Sequence, residues 1–436
     1  MSGAPSKRDT PILPFALITS LFLLWGLANN MTDTLLAAFK RIMSMSDAQT
    51  SWIQIASYGL GYFLFALPAA IYIKKFSYKS GVLLGLGLYT LGCFLFYPSM
   101  LTGNYYHFLG AIWILFGGLS VLETASNPYI IAMGKEETGT RRLNFAQSFN
   151  PLGSIMGVVL SSIFILSELN RSSAQERAAM APEELQAIQY GELNAVTMTY
   201  VSIGVILLVL WIIIFVTKMP VAANESKVLD LKGTLKRLLW NKNYTMGVLA
   251  QFLYVGAQIG VWSYTIRYAM KELDLENIEL PLGKTPEQVA AQYYVAALIL
   301  FVASRFICTF LMKYIKPERL LTWAAILASV SSLFVIFGHG MVGVIALVSI
   351  SAFMSLMFPT IFGIASKGLG EDTKIGSSGM IMAILGGAVI TAIQGKVSDL
   401  TGSINIAYSV PLVCFLIIAF YGGFIRHQNK ISTDRS

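Results

Sequence analysis

Residues 22–39 read FLLWGLANNMTDTLLAAF, an apolar run typical of a membrane-spanning helix, with an acid near its middle. Asn29 and Asn30 precede Asp33 by four and three positions, so the three side chains project from one helical face. A carboxylate at bilayer depth costs about 2.5–3.5 kcal/mol on insertion scales, and such acids usually carry protons or bind substrate. The alternative is an acid near the aqueous end of the helix. Lys40 and Arg41 mark that end more than a turn later, which favours the buried position.

The composition predicts an all-α membrane protein. Of 436 residues, 55% are hydrophobic and 12% are charged, and the mean hydropathy is +0.65. No soluble globular class fits this balance, and at about 20 residues per span the apolar segments supply about a dozen helices. The net charge of +8 does not indicate nucleic-acid binding, because the basic residues are scattered in short loops between spans. The predicted partner is therefore the lipid bilayer, and not a nucleic acid.

Reactive side chains are few and scattered. Cys93, Cys308 and Cys414 lie in apolar runs, which indicates no disulfide framework, and the three histidines have no metal-ligand spacing. The chain has no complete GxxxxGK[ST] phosphate loop, and no HExxH or GxSxG motif. We therefore expect neither an enzyme nor an ATP-driven pump, and no metal or cofactor beyond a coupling proton.

Twelve spans and their orientation follow from hydropathy and charge. With an inside start, about 22 Lys and Arg residues fall in cytoplasmic segments and about 7 outside, which is the positive-inside bias. Both termini are then cytoplasmic. The predicted spans lie near residues 15–38, 52–73, 80–98, 107–133, 143–167, 198–217, 245–270, 289–311, 320–337, 341–366, 375–396 and 408–425.

The chain divides into two pseudo-symmetric six-helix halves, residues 1–217 and 245–436, joined by a basic cytoplasmic linker, residues 218–244. Segments recur in the same order at offsets of roughly 230 to 240 residues: FLLWGLANN at 22–30 corresponds to FLYVGAQIG at 252–260, and KKFSYKS at 74–80 corresponds to KYIKPER at 313–319. Parallel repeats of this kind place a substrate site between the halves, near the bilayer midplane.

A second buried acid, Glu123, lies in the fourth span within GGLSVLETASNPYI, residues 117–130. Asn127 follows one turn later on the same face, and Pro128 frees a backbone carbonyl where the helix can line a cavity. The alternative is a structural glutamate paired with a nearby cation or hydroxyl. We interpret Glu123 and Asn127 as candidate substrate-binding residues.

Amide side chains mark two further spans. Asn144, Gln147 and Asn150 recur every three residues in the fifth span and suit a ligand rich in hydroxyls, although such amides also bond between helices. In the seventh span one face resembles a sugar platform, with a ring for stacking and amides for hydroxyls. The alternative there is an aromatic belt at the membrane surface. That face carries Gln251, Tyr254, Gln258, Trp262 and Thr265.

Arg305 lies in the eighth span, within LFVASRFICTF, and a guanidinium at that depth needs a partner. An acid or a helix terminus would serve. The alternative is that Arg305 lies near the cytoplasmic end and reaches the surface with its charged head. It is a possible charge partner for the site.

Over nearly its whole length the chain resembles the L-fucose:proton symporter branch of the major facilitator superfamily. The resemblance implies a twelve-helix fold with alternating access, in which Asp33 and Glu123 serve proton coupling and sugar binding. It also implies that Asn30, Gln147, Asn150 and Gln258 line the sugar cavity with Trp262. The stretches that carry it are PFALITSLFLLWGLANNMTDTLL (14–36), LETASNPYI (122–130), RLNFAQSFNPLG (142–153), QFLYVGAQIGVWSYTIRYA (251–269), SAFMSLMFPTIF (351–362) and LGEDTKIGSS (369–378).

Three positions depart from the family pattern, and the first two bear on the substrate. Thr32 stands where an Asn is expected before the acid, and Phe358 stands where a Tyr hydroxyl is expected before Pro-Thr. The loop IYIKKFSYKSG, residues 71–81, lacks the usual Asp of facilitator loops. Loss of polar groups near the cavity would change which hexose is preferred.

We therefore expect a multi-pass inner-membrane importer that couples protons to L-fucose or a related neutral hexose and acts as a monomer. Within transport, the alternative is a glucose, galactose or mannose symporter. A drug exporter should have an apolar, aromatic cavity, whereas these spans have amide-rich faces. An integral-membrane glycosyltransferase needs a large catalytic loop, and the loops here are short.

Overall fold

The structure is a computed structural model that describes residues 10–43, 45, 53, 55–170, 172, 174–221, 230–275, 277 and 286–433. Some side chains within these ranges lie outside the description, including those of residues 32–34, 36, 37, 40 and 41. Throughout the described ranges the regular secondary structure is helical. This is what the apolar composition requires, because a helix satisfies its own backbone hydrogen bonds in lipid.

Among the described residues, eleven helices are long and apolar enough to cross a membrane. The one remaining predicted span, the second in chain order near residues 52–73, lies partly outside the described residues. Its described part is a π-helix, Ile55–Tyr62, which continues into the helix Phe63–Lys75. The predicted all-α membrane fold is confirmed, and the helix count is consistent with twelve spans.

Contacts between helices group the chain into two compact units. The first contains the described parts of Met1–Gly134 and Phe149–Leu229, and the second contains those of Lys135–Ser148 and Asp230–Ser436. The fifth span is thus divided at residue 148, where its helix breaks. The halves at 1–217 and 245–436 concern the sequence repeat and stay a prediction.

Helices are numbered in chain order through both units, so α5 falls in the second unit, and seven described helices belong to the first unit. They are α1 (Ile12–Ile42), α2 (Phe63–Lys75), α3 (Tyr78–Thr102), α4 (Tyr105–Ala132), α6 (Phe149–Phe164), α7 (Ala174–Ala179) and α8 (Pro182–Val216). The main packing pairs are α3 with α4, α1 with α6 and α3 with α8.

The second unit is built around α10, which packs on several of its other long helices. Its helices are α5 (Gly139–Gln147), α9 (Leu231–Trp240), α10 (Lys242–Glu272), α11 (Pro286–Leu311), α12 (Pro317–Phe337), α13 (Gly340–Met354), α14 (Met357–Ser366), α15 (Thr373–Met382), α16 (Gly386–Thr401), α17 (Ile404–Ala407) and α18 (Ser409–Thr433).

Two glycines let candidate-site helices approach closely. A Cβ at Gly153 of α6 would lie 1.8 Å from the carbonyl oxygen of Leu23 in α1. A Cβ at Gly386 of α16 would lie 2.0 Å from the carbonyl oxygen of Phe252 in α10. Neither contact is possible with a side chain present, so these positions set the spacing of α1 and α10 within their own units.

The linker helix α9 is fixed to the second unit by an ion pair. Asp230 caps the helix by accepting a hydrogen bond from the backbone N–H of Gly233 at 2.9 Å. Arg237 donates two hydrogen bonds, of 2.7 and 2.8 Å, to the carboxylate of Asp372, and this pairing raises the pKa of the guanidinium. The bidentate geometry orients α9 on the short helical turn that contains Asp372.

Candidate functional site

Glu123 lies on α4 and is nearly inaccessible, with 4% of its surface exposed. Its carboxylate accepts a hydrogen bond of 2.8 Å from the hydroxyl of Tyr62. Tyr62 is positioned in turn by Ser120, whose hydroxyl donates to the Tyr62 carbonyl at 2.9 Å. Within the described chain no basic side chain lies in ion-pair range of Glu123. The carboxylate is therefore held by a neutral donor, which leaves it able to gain and lose a proton.

Two candidate amides of the first unit, Asn127 and Asn30, are anchored to their own helices. Asn127 donates to the main-chain carbonyl of Glu123 at 3.0 Å, and Asn30 donates to the carbonyl of Gly26 at 3.4 Å. Asn150 is half-buried on α6, and its main-chain carbonyl accepts a hydrogen bond from the Ser154 hydroxyl at 3.3 Å. The first unit therefore contains Asn30, Glu123, Asn127 and Asn150.

Asp33 follows Asn30 on α1, whose backbone is helical from Ile12 to Ile42. The mid-helix position predicted for this acid therefore agrees with the backbone. Its side chain lies outside the described residues, so its role stays a prediction.

The remaining amides of the fifth span lie in the second unit, on α5. Asn144 donates to the hydroxyl of Thr360 on α14 at 3.2 Å and to the carbonyl of Thr140 at 3.0 Å. This geometry corresponds to the interhelical alternative for Asn144. Gln147 is buried at the end of α5, and its main-chain carbonyl accepts a hydrogen bond from Arg305 at 2.9 Å.

The predicted platform on α10 contains polar groups that no described residue satisfies. Gln251 is fully buried, and neither atom of its amide has a hydrogen-bond partner among the described residues. Gln258 is half-buried two turns later, and its amide makes no hydrogen bond within the described chain. Thr265 is different, because its hydroxyl donates to the Val261 carbonyl at 2.8 Å. Buried amides without partners are costly, so this face requires water or a polar ligand.

Trp262 on the same helix is half-buried and firmly oriented. Its indole N–H donates to the hydroxyl of Ser351 at 3.1 Å. The ring of Phe301 stands edge-on to it, with 5.0 Å between ring centroids. Because the only polar atom of the indole is already used, Trp262 offers a ligand an apolar surface for stacking.

Arg305 on α11 is buried, with 3% of its surface exposed. Its Nε donates to the carbonyl of Ser355 at 2.5 Å, and its Nη1 donates to the carbonyl of Gln147. No carboxylate in the described part of the chain lies within ion-pair distance. The sequence left an acid or a helix terminus as the possible partner of Arg305. In the structure its partners are backbone carbonyls at helix ends.

Four residues of these networks have no signal in the sequence pattern: Tyr62, Phe301, Ser351 and Thr360. Each contacts a candidate residue far away along the chain, 61 positions for Tyr62 and Glu123 and 216 for Thr360 and Asn144. Helical spacing relates only neighbours on one helix, so it does not identify such partners.

Long apolar helices that bury an acid and several amides define a multi-pass membrane carrier for a polar solute. The model of the Major Facilitator Superfamily matches residues 17–376. The chain belongs to this superfamily, within the group that contains the L-fucose-proton symporters. It is 41% identical to the L-fucose-proton symporter of Haemophilus influenzae over 94% of this chain and 96% of that one. The corresponding protein of Escherichia coli is 40% identical, over 95% and 93%.

More distant relatives and a solved structure agree with this assignment. The glucose/galactose transporter of Brucella abortus is 32% identical over 93% of this chain and 92% of that one. The crystal structure of the major facilitator transporter FucP, in the outward conformation, is similar with a TM-score of 0.87 at 40% identity. That match covers 96% of this chain and 99% of the other.

Proposed function

We propose that this protein imports L-fucose or a related neutral hexose across the inner membrane together with protons, by alternating access. The observation that carries the proposal is the α10 face, where the buried amide of Gln251, which has no partner among the described residues, and the half-buried amide of Gln258 accompany the oriented indole of Trp262. Amide side chains can form hydrogen bonds with the hydroxyl groups of a sugar, and the indole can stack on its apolar face. The buried carboxylate of Glu123 supplies a group that can change protonation.

The functions given by the names of the relatives support the same proposal. Two of them at 40% identity or more are L-fucose-proton symporters. We further propose that the protein is not an enzyme, needs no cofactor other than the coupling proton, and acts as a monomer. Both termini and the linker then face the cytoplasm.

A glucose or galactose symporter is the second candidate, and a specific observation favours it. Phe358 stands beside Tyr254 with 6.3 Å between ring centroids, at the position where the fucose branch is expected to have a Tyr hydroxyl. The Brucella abortus relative is a glucose/galactose transporter. Removing one hydroxyl near a sugar cavity changes which hydroxyls of the sugar find partners.

Uptake of radiolabelled L-fucose into proteoliposomes, with an imposed pH gradient and a panel of competing hexoses, tests the proposal. Proton-driven accumulation of L-fucose, competed most strongly by its close analogues, is the expected result. Accumulation that glucose or galactose inhibits more strongly than L-fucose supports the second candidate. A protein that accumulates no hexose under a pH gradient contradicts both.

Gln258→Ala and Trp262→Ala are each expected to weaken sugar binding by about 1–3 kcal/mol, through a lost hydrogen bond or a lost stacking surface. At about 1.4 kcal/mol per tenfold, this is a rise in Kd of about 5- to 150-fold. Isothermal titration calorimetry on the purified protein measures it. Gln186→Ala and Trp240→Ala are the matched controls, because both side chains are exposed and lie on helices other than α10. Unchanged affinity in both test variants would remove α10 from the site.

Residues 218–244 are expected to be inaccessible from outside intact cells. A cysteine introduced at Lys236 of α9, which is exposed, should resist an impermeant maleimide until the cells are permeabilised. The background should lack Cys93, Cys308 and Cys414. A cysteine at Glu184, exposed in the acidic segment 168–195 that the predicted orientation places outside, should react at once. Rapid labelling at position 236 with protection at position 184 would reverse the orientation.

A further inference from the structure

Arg305 is a buried cation without a counter-anion among the described residues, and its guanidinium donates instead to two backbone carbonyls. It donates to the carbonyl of Gln147 on α5 and to the carbonyl of Ser355, just beyond α13. Removing a guanidinium from water is costly unless its donors are used. Charge-assisted hydrogen bonds to two carbonyls offset that cost. The pairing therefore specifies the relative position of three helical segments.

The two carbonyls share a feature that explains why they are available. In an α-helix the carbonyl of one residue accepts from the N–H four residues later. Four residues after Gln147 is Pro151, and four residues after Ser355 is Pro359. Proline has no N–H, so each proline deprives one carbonyl of its helical donor. Arg305 supplies donors to both of these carbonyls at once.

The same guanidinium is connected to the proposed sugar platform. Its central carbon lies 4.5 Å from the ring centroid of Phe301, one turn earlier on α11, in cation–π geometry. Phe301 stands edge-on to Trp262. Ser351, which accepts the indole N–H of Trp262, lies one turn before Ser355. Arg305 thus contacts the backbone of one candidate sugar residue and, through Phe301, the ring of another.

We propose that Arg305 is a positioning residue for sugar binding, which orients Gln147 through its main-chain carbonyl and Trp262 through Phe301. The inference rests on the proposed function and adds a specific role. Arg305 does not touch the sugar. It replaces the N–H groups that Pro151 and Pro359 remove, and the helix breaks next to the sugar residues acquire a defined geometry.

A mutant cycle between Arg305 and Pro151 tests this. Arg305→Met removes the guanidinium and should raise the Kd for L-fucose about tenfold or more in calorimetry. Arg305→Lys should retain part of the affinity, because an ammonium keeps the charge and lacks the planar fork that reaches both carbonyls. In a Pro151→Ala background the Gln147 carbonyl regains an N–H, so the loss caused by Arg305→Met should shrink several-fold. Pro359→Ala should act in the same way for Ser355.

Two controls separate positioning from a general effect on folding. Arg267→Met removes an exposed guanidinium near the end of α10, and Pro98→Ala replaces an exposed proline within α3. Arg267→Met should leave the Kd unchanged, and Pro98→Ala should leave the loss caused by Arg305→Met unchanged. A purely structural arginine would lower thermal stability while the folded fraction keeps its affinity. If Arg305→Met does not fold, Arg305→Lys takes its place in the same cycle.

The outcomes distinguish this inference from the proposed function. Unchanged affinity in the folded Arg305 variants overturns the inference alone, and so does an equal loss with and without Pro151 and Pro359. An unmodified protein that binds neither L-fucose nor any hexose of the panel overturns the proposed function, and this inference with it.

Discussion

Asp33→Asn should abolish sugar accumulation driven by a pH gradient while sugar exchange across the membrane continues. Asparagine has the shape of the protonated acid and cannot release a proton. A carrier locked in that state still binds sugar and changes orientation, but nothing couples its turnover to protons. Asp33 is preferred as the proton carrier because its own helix offers the neutral Asn29 and Asn30 and no nearby cation on that face.

The expected loss is large. One proton entering down 100 mV yields about 2.3 kcal/mol. At about 1.4 kcal/mol per tenfold, this sustains about a fifty-fold sugar gradient. In proteoliposomes Asp33→Asn should therefore fall from concentrative uptake to simple equilibration. Counterflow, measured as exchange of labelled for unlabelled sugar, should stay within a few-fold of the unmodified protein.

The conservative control is Asp33→Glu, which keeps an ionisable group and should retain part of the accumulation. Accumulation against a gradient by Asp33→Asn would show that Asp33 is not the carrier, and the role would pass to Glu123. Loss of counterflow as well as accumulation would place Asp33 among the sugar contacts.

Glu123→Gln should impair counterflow and pH-driven uptake together. The carboxylate is buried, accepts the Tyr62 hydrogen bond, and lies one turn from Asn127. A sugar hydroxyl donating to a charged acceptor contributes about 1.5–3 kcal/mol. Replacing one acceptor oxygen by an amide N–H removes that contact. At about 1.4 kcal/mol per tenfold the Kd should rise about 10- to 150-fold, which calorimetry measures directly.

Tyr62→Phe is the comparison that isolates the partner of this acid. It removes the donor hydroxyl and leaves the carboxylate in place, so sugar affinity should fall less than in Glu123→Gln. Tyr89→Phe is a matched control, because its buried hydroxyl donates to the carbonyl of Leu24 and not to a carboxylate. Full counterflow and unchanged affinity in Glu123→Gln would remove Glu123 from the sugar site and leave it only a coupling role.

The fold could be predicted from the sequence because the length and apolar composition of a segment decide whether it can span a bilayer. Apolar runs of sufficient length must be helices, and the excess of Lys and Arg predicts their orientation. The position of Asp33 within an apolar run, the face shared by Gln258 and Trp262, and the places of Pro151 and Pro359 are likewise properties of the linear chain. Each depends on spacing along a single helix, which the 3.6-residue period determines.

What those side chains contact was decided only by the tertiary structure. Tyr62 as the partner of Glu123, Thr360 as the partner of Asn144, and Ser351 as the acceptor for Trp262 all join different helices. The sequence of each helix allows many rotations and neighbours, and the packing of the whole unit selects one. Arg305 combines both sources. The two prolines that remove the helical N–H donors of the Gln147 and Ser355 carbonyls are a property of the sequence. Only packing brings one guanidinium to both carbonyls, because hydrogen bonds require an approach within about 3 Å that no local pattern specifies.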